Sequence, residues 1–348
     1  MTRVTWAEPR RGADVMVLGR MGNSSDRPVA AIDVGTNTAQ LVVARPRANG
    51  LFEPLLERAV ITRLGKGVDA TGRLSEEGMR RAMEAISGFV SEATALGVEP
   101  RDIAACATSA SRDAANGDEL QRRVREACGG EFELEIIGGD DEARLAFLAV
   151  QGDFGGEAAG PLVAIDVGGG STEVVLGPAR GAALFRHSAQ VGSVRLTERC
   201  VPEEVLAAGA PLSERMLAEM REAARAAFSK GGVGRTTADA LAVAVAATAT
   251  SLFAVSEGLP SSTDTRVHGG FLTLRAVRET VTRLAAMTLQ ARQRVQGLDP
   301  ARADVVCAGG VVLEAALEAL GLERCRVSDR GLRWGILRDR FGQRVDVA

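Results

Sequence analysis

The sequence predicts an α/β protein of two related lobes, each a mixed sheet flanked by helices, with a cleft between them. Three observations carry this. Apolar β-type runs alternate with helical patterns along the chain, and each half opens on a hairpin. Ile32-Asp33-Val34-Gly35 recurs as Ile165-Asp166-Val167-Gly168, and in both places a hydroxyl-bearing turn leads into a second apolar run. A repeat of this kind implies two related domains in one chain. The 348 residues suit about two domains, and a glycine-rich stretch from 152 to 160 separates the copies. Residues 29–150 are therefore expected to form the first lobe and 161–330 the second, with a terminal helix over 331–345 packing back on the first. Residues 1–28 are expected to lack fixed structure, with Met21 an alternative start.

In chain order, the first hairpin runs from Ala30 through Asp33-Val34-Gly35-Thr36-Asn37-Thr38 to Val43. Leu55 to Leu64 reads as a third strand. Ser75-Glu76-Glu77 caps a helix reaching about Leu96, with Met79, Met83, Ile86 and Val90 at helical spacing. Ile103 to Ala107 reads as a buried strand ending in Thr108-Ser109-Ala110-Ser111-Arg112. That ending suits anion binding at a sheet's carboxyl edge, and equally a capped helix start with a surface arginine. Glu133 to Ile137 is a strand leading to Gly139-Asp140-Asp141-Glu142 and a helix over 142–150. Three acids there also serve as ordinary dipole and capping partners.

The second lobe opens with Leu162 to Ile165 and Asp166-Val167-Gly168-Gly169-Gly170-Ser171-Thr172-Glu173. A strand near Ala183 to His187, a helix from Ser213 to Phe228 and a strand from Leu241 to Ala246 follow. A helix is expected over 274–289, a strand over 303–307 with Gly309-Gly310 as a close-approach point, and a helix over 313–320. Val327-Ser328-Asp329 ends the last strand.

Composition excludes several classes. A net charge of −3 gives no general attraction to nucleic acid or an anionic membrane, so any polyanion site is a local cluster of arginines. Lys66 and Lys230 are the only lysines. The five cysteines are scattered, without C-x-x-C spacing, and read as free thiols in a reducing compartment. With two histidines, a His-based metal site has little support. No apolar run approaches the ~20 residues of a membrane helix. A cytoplasmic protein is expected.

The glycine turns carry the chemistry. Three consecutive glycines let backbone approach a ligand closely, and their N–H groups can converge on an anion as a nest. Asp166 and Glu173 bracket the second turn with carboxylates, hard ligands suited to Mg²⁺. The turn is no dinucleotide fingerprint, because a β-run follows the glycines where a helix would be needed.

The two turn motifs resemble the phosphate motifs of the actin, heat-shock ATPase and sugar-kinase superfamily. More narrowly, they resemble the exopolyphosphatase and guanosine pentaphosphate phosphohydrolase (Ppx/GppA) family. Residues 62–65, 107–112, 139–144, 192–198 and 297–304 support the resemblance in order, so it covers nearly the whole chain from about residue 30 to 340, in the short two-domain form. It implies two actin-like, ribonuclease H-like lobes. It also implies hydrolysis of the terminal phosphoanhydride of inorganic polyphosphate or guanosine pentaphosphate, with Mg²⁺, or Mn²⁺ in its place. Glu142 matches the family's general base. Gly35, Thr36, Asn37, Thr38, Ser109, Gly168, Gly169, Gly170, Ser171 and Thr172 would cradle phosphate. Arg63 and Arg112 would grip further phosphates, since guanidinium matches phosphate bidentately. Asp33, Asp166 and Glu173 would hold or orient the metal. A homodimer stays open. The chain departs from the family at Trp334, where Glu is usual, at Ala247, where Gly is common, and at Gln40, where a basic residue is common. Two alternatives remain: an ATP-dependent kinase with adenosine against Gly309-Gly310, and a non-enzymatic polyphosphate or nucleotide sensor, suggested by Trp334.

Overall fold

The computed structural model describes residues 27–47 and 51–342. The expectation for residues 1–28 falls almost wholly outside these, as do residues 343–345 of the terminal helix. The chain begins with a meander of β1 (Val29–Val34), β2 (Thr38–Pro46) and β3 (Phe52–Ile61). Helices α1 (Val68–Thr71) and α2 (Glu76–Ala95) lead to β4 (Ile103–Ala107), and α3 (Ser109–Asp113) and α4 (Gly117–Ala127) lead to β5 (Leu134–Ile136). The sheet order is β3-β2-β1-β4-β5, antiparallel from β3 to β1 and parallel from β1 to β5.

Helix α5 (Gly139–Phe154) then leads to a second meander of β6 (Leu162–Val167), β7 (Thr172–Gly177) and β8 (Phe185–Ala189). Helices α6 (Ser193–Cys200), α7 (Glu203–Ala208) and α8 (Glu214–Lys230) precede β9 (Leu241–Val245). The chain finishes with α9 (Ala246–Ser256), β10 (Phe271–Thr273), α10 (Leu274–Ala285), α11 (Leu289–Arg292), α12 (Val306–Leu320), β11 (Arg324–Val327) and α13 (Leu332–Phe341). The second sheet, β10-β11-β9-β6-β7-β8, repeats the first scheme and adds an antiparallel edge strand.

Strand alternation decides what faces what. In β1, Ala30, Ile32 and Val34 pack under α2 and α4, while Val29 and Ala31 turn to α13 and to Leu145 and Ala149 of α5. In β6, Val163, Ile165 and Val167 face the helical layer of α8, α9 and α12, while Leu162 and Ala164 face Ala143, Phe147 and Val150 of α5. Helix α5 thus has one apolar stripe on each lobe. The same parity puts Asp33 and Asp166 on the faces turned to α5.

Two expectations need correction. Residues 303–307 are not a strand. Asp299 accepts a hydrogen bond from Ala301 N (2.9 Å) and Pro300 starts a 3-10 turn, after which α12 continues as a buried helix. Apolar periodicity alone cannot separate a buried strand from a buried helix. Gly309 and Gly310 lie inside α12, where a Cβ would stand 2.7 Å from Thr248 Oγ1 and 2.3 Å from Val281 Cγ2 respectively. Protein side chains fill the space the kinase reading gave to adenosine. The third strand is Phe52–Ile61, shorter at its end than the apolar run suggests. Residues 62–65 peel off because Thr62 N and Arg63 N donate to Asn37 O and Gly65 N donates to Thr36 O. All five cysteines are free, and among the described residues no helix is long and apolar enough to cross a membrane.

Candidate active site

The first turn, Gly35 to Thr38, is closed by Gly35 N donating to Thr38 O (3.0 Å); the second, Gly168 to Ser171, by Gly168 N donating to Ser171 O (3.0 Å). The turns face each other. A Cβ on Gly169 would come within 2.9 Å of Thr36 Cβ, and one on Gly170 within 2.5 Å of Ser109 Oγ. Only bare backbone fits there. The N-terminus of α6 supports the second turn: Ser193 N donates to Gly168 O, and Val194 N and Arg195 N donate to Gly169 O.

The cavity between the turns is small, about 80 Å³. Gly35, Thr36, Asn37, Thr38, Ser109, Gly168, Gly169, Gly170 and Ser171 line it together with Asp33, Glu142 and Asp166. Glu142, in the first turn of α5, is 7% exposed. Burial pushes its carboxyl above the ordinary range, while a 3.0 Å bond from Arg112 Nη1 and that residue's charge pull it back. Burial, then the neighbouring Asp166 and Glu142, push Asp33 up to about 8, against the opposing charge of Arg333. Burial and Glu142 push Asp166 up to about 7. Three carboxylates thus share one cleft.

Four expected residues stand elsewhere. Thr172 is buried, its hydroxyl donating to Val191 O (2.6 Å), and lines no part of the cavity. Glu173 is buried behind the turn, accepting from Ser188 Oγ (2.7 Å). Burial, then Glu142 and Asp166, push its carboxyl well up. Arg63 reaches across the lobes to Asp304 and to Ala301 O (3.0 Å). Arg112 is held by Glu142 and Ile137 O, and its Nη2 is buried without a partner. Both arginines are committed to protein acceptors in this arrangement.

Sequence reasoning missed Arg302. It lines the cavity, and its Nη2 donates to Thr38 Oγ1 (2.7 Å), while burial lowers its pKa. Its signal was available, since Arg302 lies in one of the supporting motifs and carries the charge that a polyanion site needs. Arg195 was missed too. It ties Gly170 O (2.8 Å) to Asp69 and Asp113 of the other lobe, each at 2.5 Å. Trp334 is fully buried with the α13 core, outside the cavity lining, so its departure from the family does not alter the cleft wall.

Among the described residues no group of three or more His, Cys, Asp or Glu side chains forms a ready metal cage. The donor set still fits a hard cation. Asp33 Oδ1 is buried with no hydrogen-bond partner, and it and Asp166 are oxygen donors crowded enough for a dication to relieve.

Two glycine turns closing on one carboxylate-lined cavity define a phosphate-handling site in a two-lobed α/β protein. Residues 42–343 match the Ppx/GppA phosphatase family, and the chain belongs to it. It is 31% identical over 320 residues to exopolyphosphatase 1 of Mycobacterium tuberculosis, covering 91% of this chain and 89% of that one. It is 33% identical over 324 residues to exopolyphosphatase 2 of the same organism, covering 88% and 97%. The solved structure of the Aquifex aeolicus Ppx/GppA family member superposes with a TM-score of 0.72 at 29% identity, covering 90% of this chain and 97% of that one.

Proposed function

We propose that this phosphatase removes the terminal phosphate of inorganic polyphosphate or guanosine pentaphosphate, releasing orthophosphate. The observation that carries this is the position of Glu142: a buried carboxylate of raised pKa on the wall of a cavity bounded by two hairpin turns. The cavity's 80 Å³ suits the end of a phosphate chain, not a whole nucleotide.

Backbone N–H groups of both turns and the hydroxyls of Thr36, Thr38, Ser109 and Ser171 hold the terminal phosphoryl oxygens. Arg302 adds a buried positive charge beside Thr38. Glu142 accepts a proton from the attacking water as its oxygen bonds to phosphorus. The bond to the bridging oxygen then breaks, and the shortened chain leaves. A carboxylate whose pKa burial raises is a better base for that step than an ordinary one. Arg112 keeps Glu142 ionised and aimed. Asp33 and Asp166 would hold Mg²⁺ or Mn²⁺, which would neutralise charge on the phosphate oxygens. Glu173, behind the turn, orients the second hairpin.

The test is phosphate release from both substrates, with Mg²⁺ and with excess chelator. Release from at least one, lost with chelator, is expected. Tight binding of both without release would sink the hydrolase reading.

A further inference from the structure

We infer that a second ligand site lies beside the phosphate cleft, for a small organic anion with an apolar, ring-sized body. It goes beyond the hydrolase reading and does not rest on it. A cavity of about 380 Å³ opens between the lobes next to the first turn, within the usual range for small-molecule sites. The second lobe supplies an apolar wall from Val205 and Leu206 of α7, Leu212, Leu289 of α11 and Val305. From the first lobe, Asn37, Arg63 and Lys66 close it.

That wall is wrong for a phosphate chain, since each unit of such a chain needs charge or hydrogen bonds once taken from water. The cations lining the cavity agree. Arg292 is buried and donates to the carbonyls of Leu284, Ala303 and Met287, so it offers nothing to the cavity. Arg63 is held by Asp304 and Ala301 O. Lys66 is exposed at the rim, and among the described residues its ammonium forms no ion pair. Of the acids lining the cavity, Asp304 is paired with Arg63, Glu198 accepts from Gly67 N (3.0 Å) and feels the charge of Lys66, and Glu203 is exposed at the start of α7. Asn37, which lines both cavities, is 7% exposed, and its Nδ2 is buried without a partner. A hydrophobic slot with one free cation at the rim and one orphaned amide donor fits a monoanion with an aromatic or short aliphatic body. Because both lobes wall the slot, a ligand there holds them at the separation seen here.

The test uses 8-anilinonaphthalene-1-sulfonate, an aromatic sulfonate that brightens in apolar surroundings, titrated into the full chain. One saturable site with Kd on the order of 10 µM is expected. Lys66→Glu and Leu206→Glu should each weaken it about tenfold; both residues are surface-exposed, and thermal melts verify that the variants fold. Tripolyphosphate with Mg²⁺ should leave the dye bound. No saturable site, wild-type affinity in both variants, or competitive displacement by tripolyphosphate would each overturn the proposal. Phosphate release measured on the same samples separates the two readings: dye binding without hydrolysis removes only the hydrolase reading, and hydrolysis without dye binding removes only this site.

Discussion

The two hairpins are built alike and used differently. Each has a four-residue turn closed by the same 3.0 Å bond, and each sets its aspartate opposite a longer polar residue: Asp33 beside Gln40, and Asp166 beside Glu173. The first turn keeps three side chains, Thr36, Asn37 and Thr38. The second is glycine until Ser171. The reason is the approach of one to the other, since Gly169 and Gly170 leave room for Thr36 and Ser109. A two-sided grip on a phosphate needs directed groups on one side and space on the other. The charges differ as well. Gln40 is neutral and bonded to Arg333, whereas Glu173 is an acid bonded to the hydroxyls of Ser188 and Ser171.

The largest expected effect lies on the helix between the hairpins. Glu142→Gln keeps shape but cannot accept a proton, so kcat should fall by about 10²–10⁴-fold, with substrate binding retained by the turns. Near wild-type turnover would leave the hairpins as the whole catalyst and remove Glu142 from the mechanism.

A methyl group placed on each turn tests their division of labour. Gly169→Ala sets a Cβ 2.9 Å from Thr36 Cβ, whereas Gly35→Ala meets only Thr38 O at 3.2 Å. Gly169→Ala should lower kcat/KM about tenfold or more, since misplacement of about an ångström is costly. Gly35→Ala should cost clearly less. Equal losses would mean that the second turn's bareness serves something other than closure. Steady-state phosphate release decides it.

The charge difference appears in stability. Asp33, Asp166 and Glu173 have folded-state pKa values raised by burial and by neighbouring carboxylates. The native chain therefore holds protons that the unfolded chain has released. The contribution of these three groups to stability is full below their unfolded pKa values and is lost as pH rises through the raised values, about 7 for Asp166 and about 8 for Asp33. His187, which burial lowers, acts oppositely below about pH 6.5, so pH 6.5 to 8 is the clean window. Thermal melts in chelator should fall across it, by up to ~1.4 kcal/mol per pH unit for each such group. Glu173→Gln, which makes the hairpins alike, should raise the melting point at pH 8 and flatten the slope. A flat wild-type profile would show that the carboxylates are not crowded.

Much of this was legible in the sequence for physical reasons. A glycine turn between two β-runs has few other structures open to it, and its repetition identified both lobes. The repeated Ile-Asp-Val-Gly motif put Asp33 and Asp166 at matching places. What escaped depended on contacts distant in sequence. Thr172 and Glu173 read as ligands because their types suit the chemistry, yet Thr172 points at Val191, 19 residues on, and Glu173 at Ser188, 15 on. Arg302 lies in one of the motifs, but its partner Thr38 stands 264 residues away, so its place in the cleft came only with the fold. The buried run over 305–312 is apolar on every side, so periodicity was silent there.

The smallest expected effect lies where the lobes leave their first parallel strand. After β4, Thr108 has φ −118°, an ordinary value. After β9, the first residue is Ala246 with φ 67°, in the left-handed region, and it lines the cleft. For a residue with a Cβ that conformation costs ~1–2 kcal/mol. Glycine would remove the cost but lose ~0.5–1 kcal/mol more chain entropy on folding. Ala246→Gly should therefore stabilise the chain by about 0.5–1 kcal/mol, whereas a glycine at Thr108, where no strain exists, should destabilise it. Urea unfolding of the two variants gives both signs in one experiment. Destabilisation at both positions would mean that the surrounding packing, through the methyl of Ala246, outweighs the backbone strain, and that the two crossovers are more alike than their dihedral angles suggest.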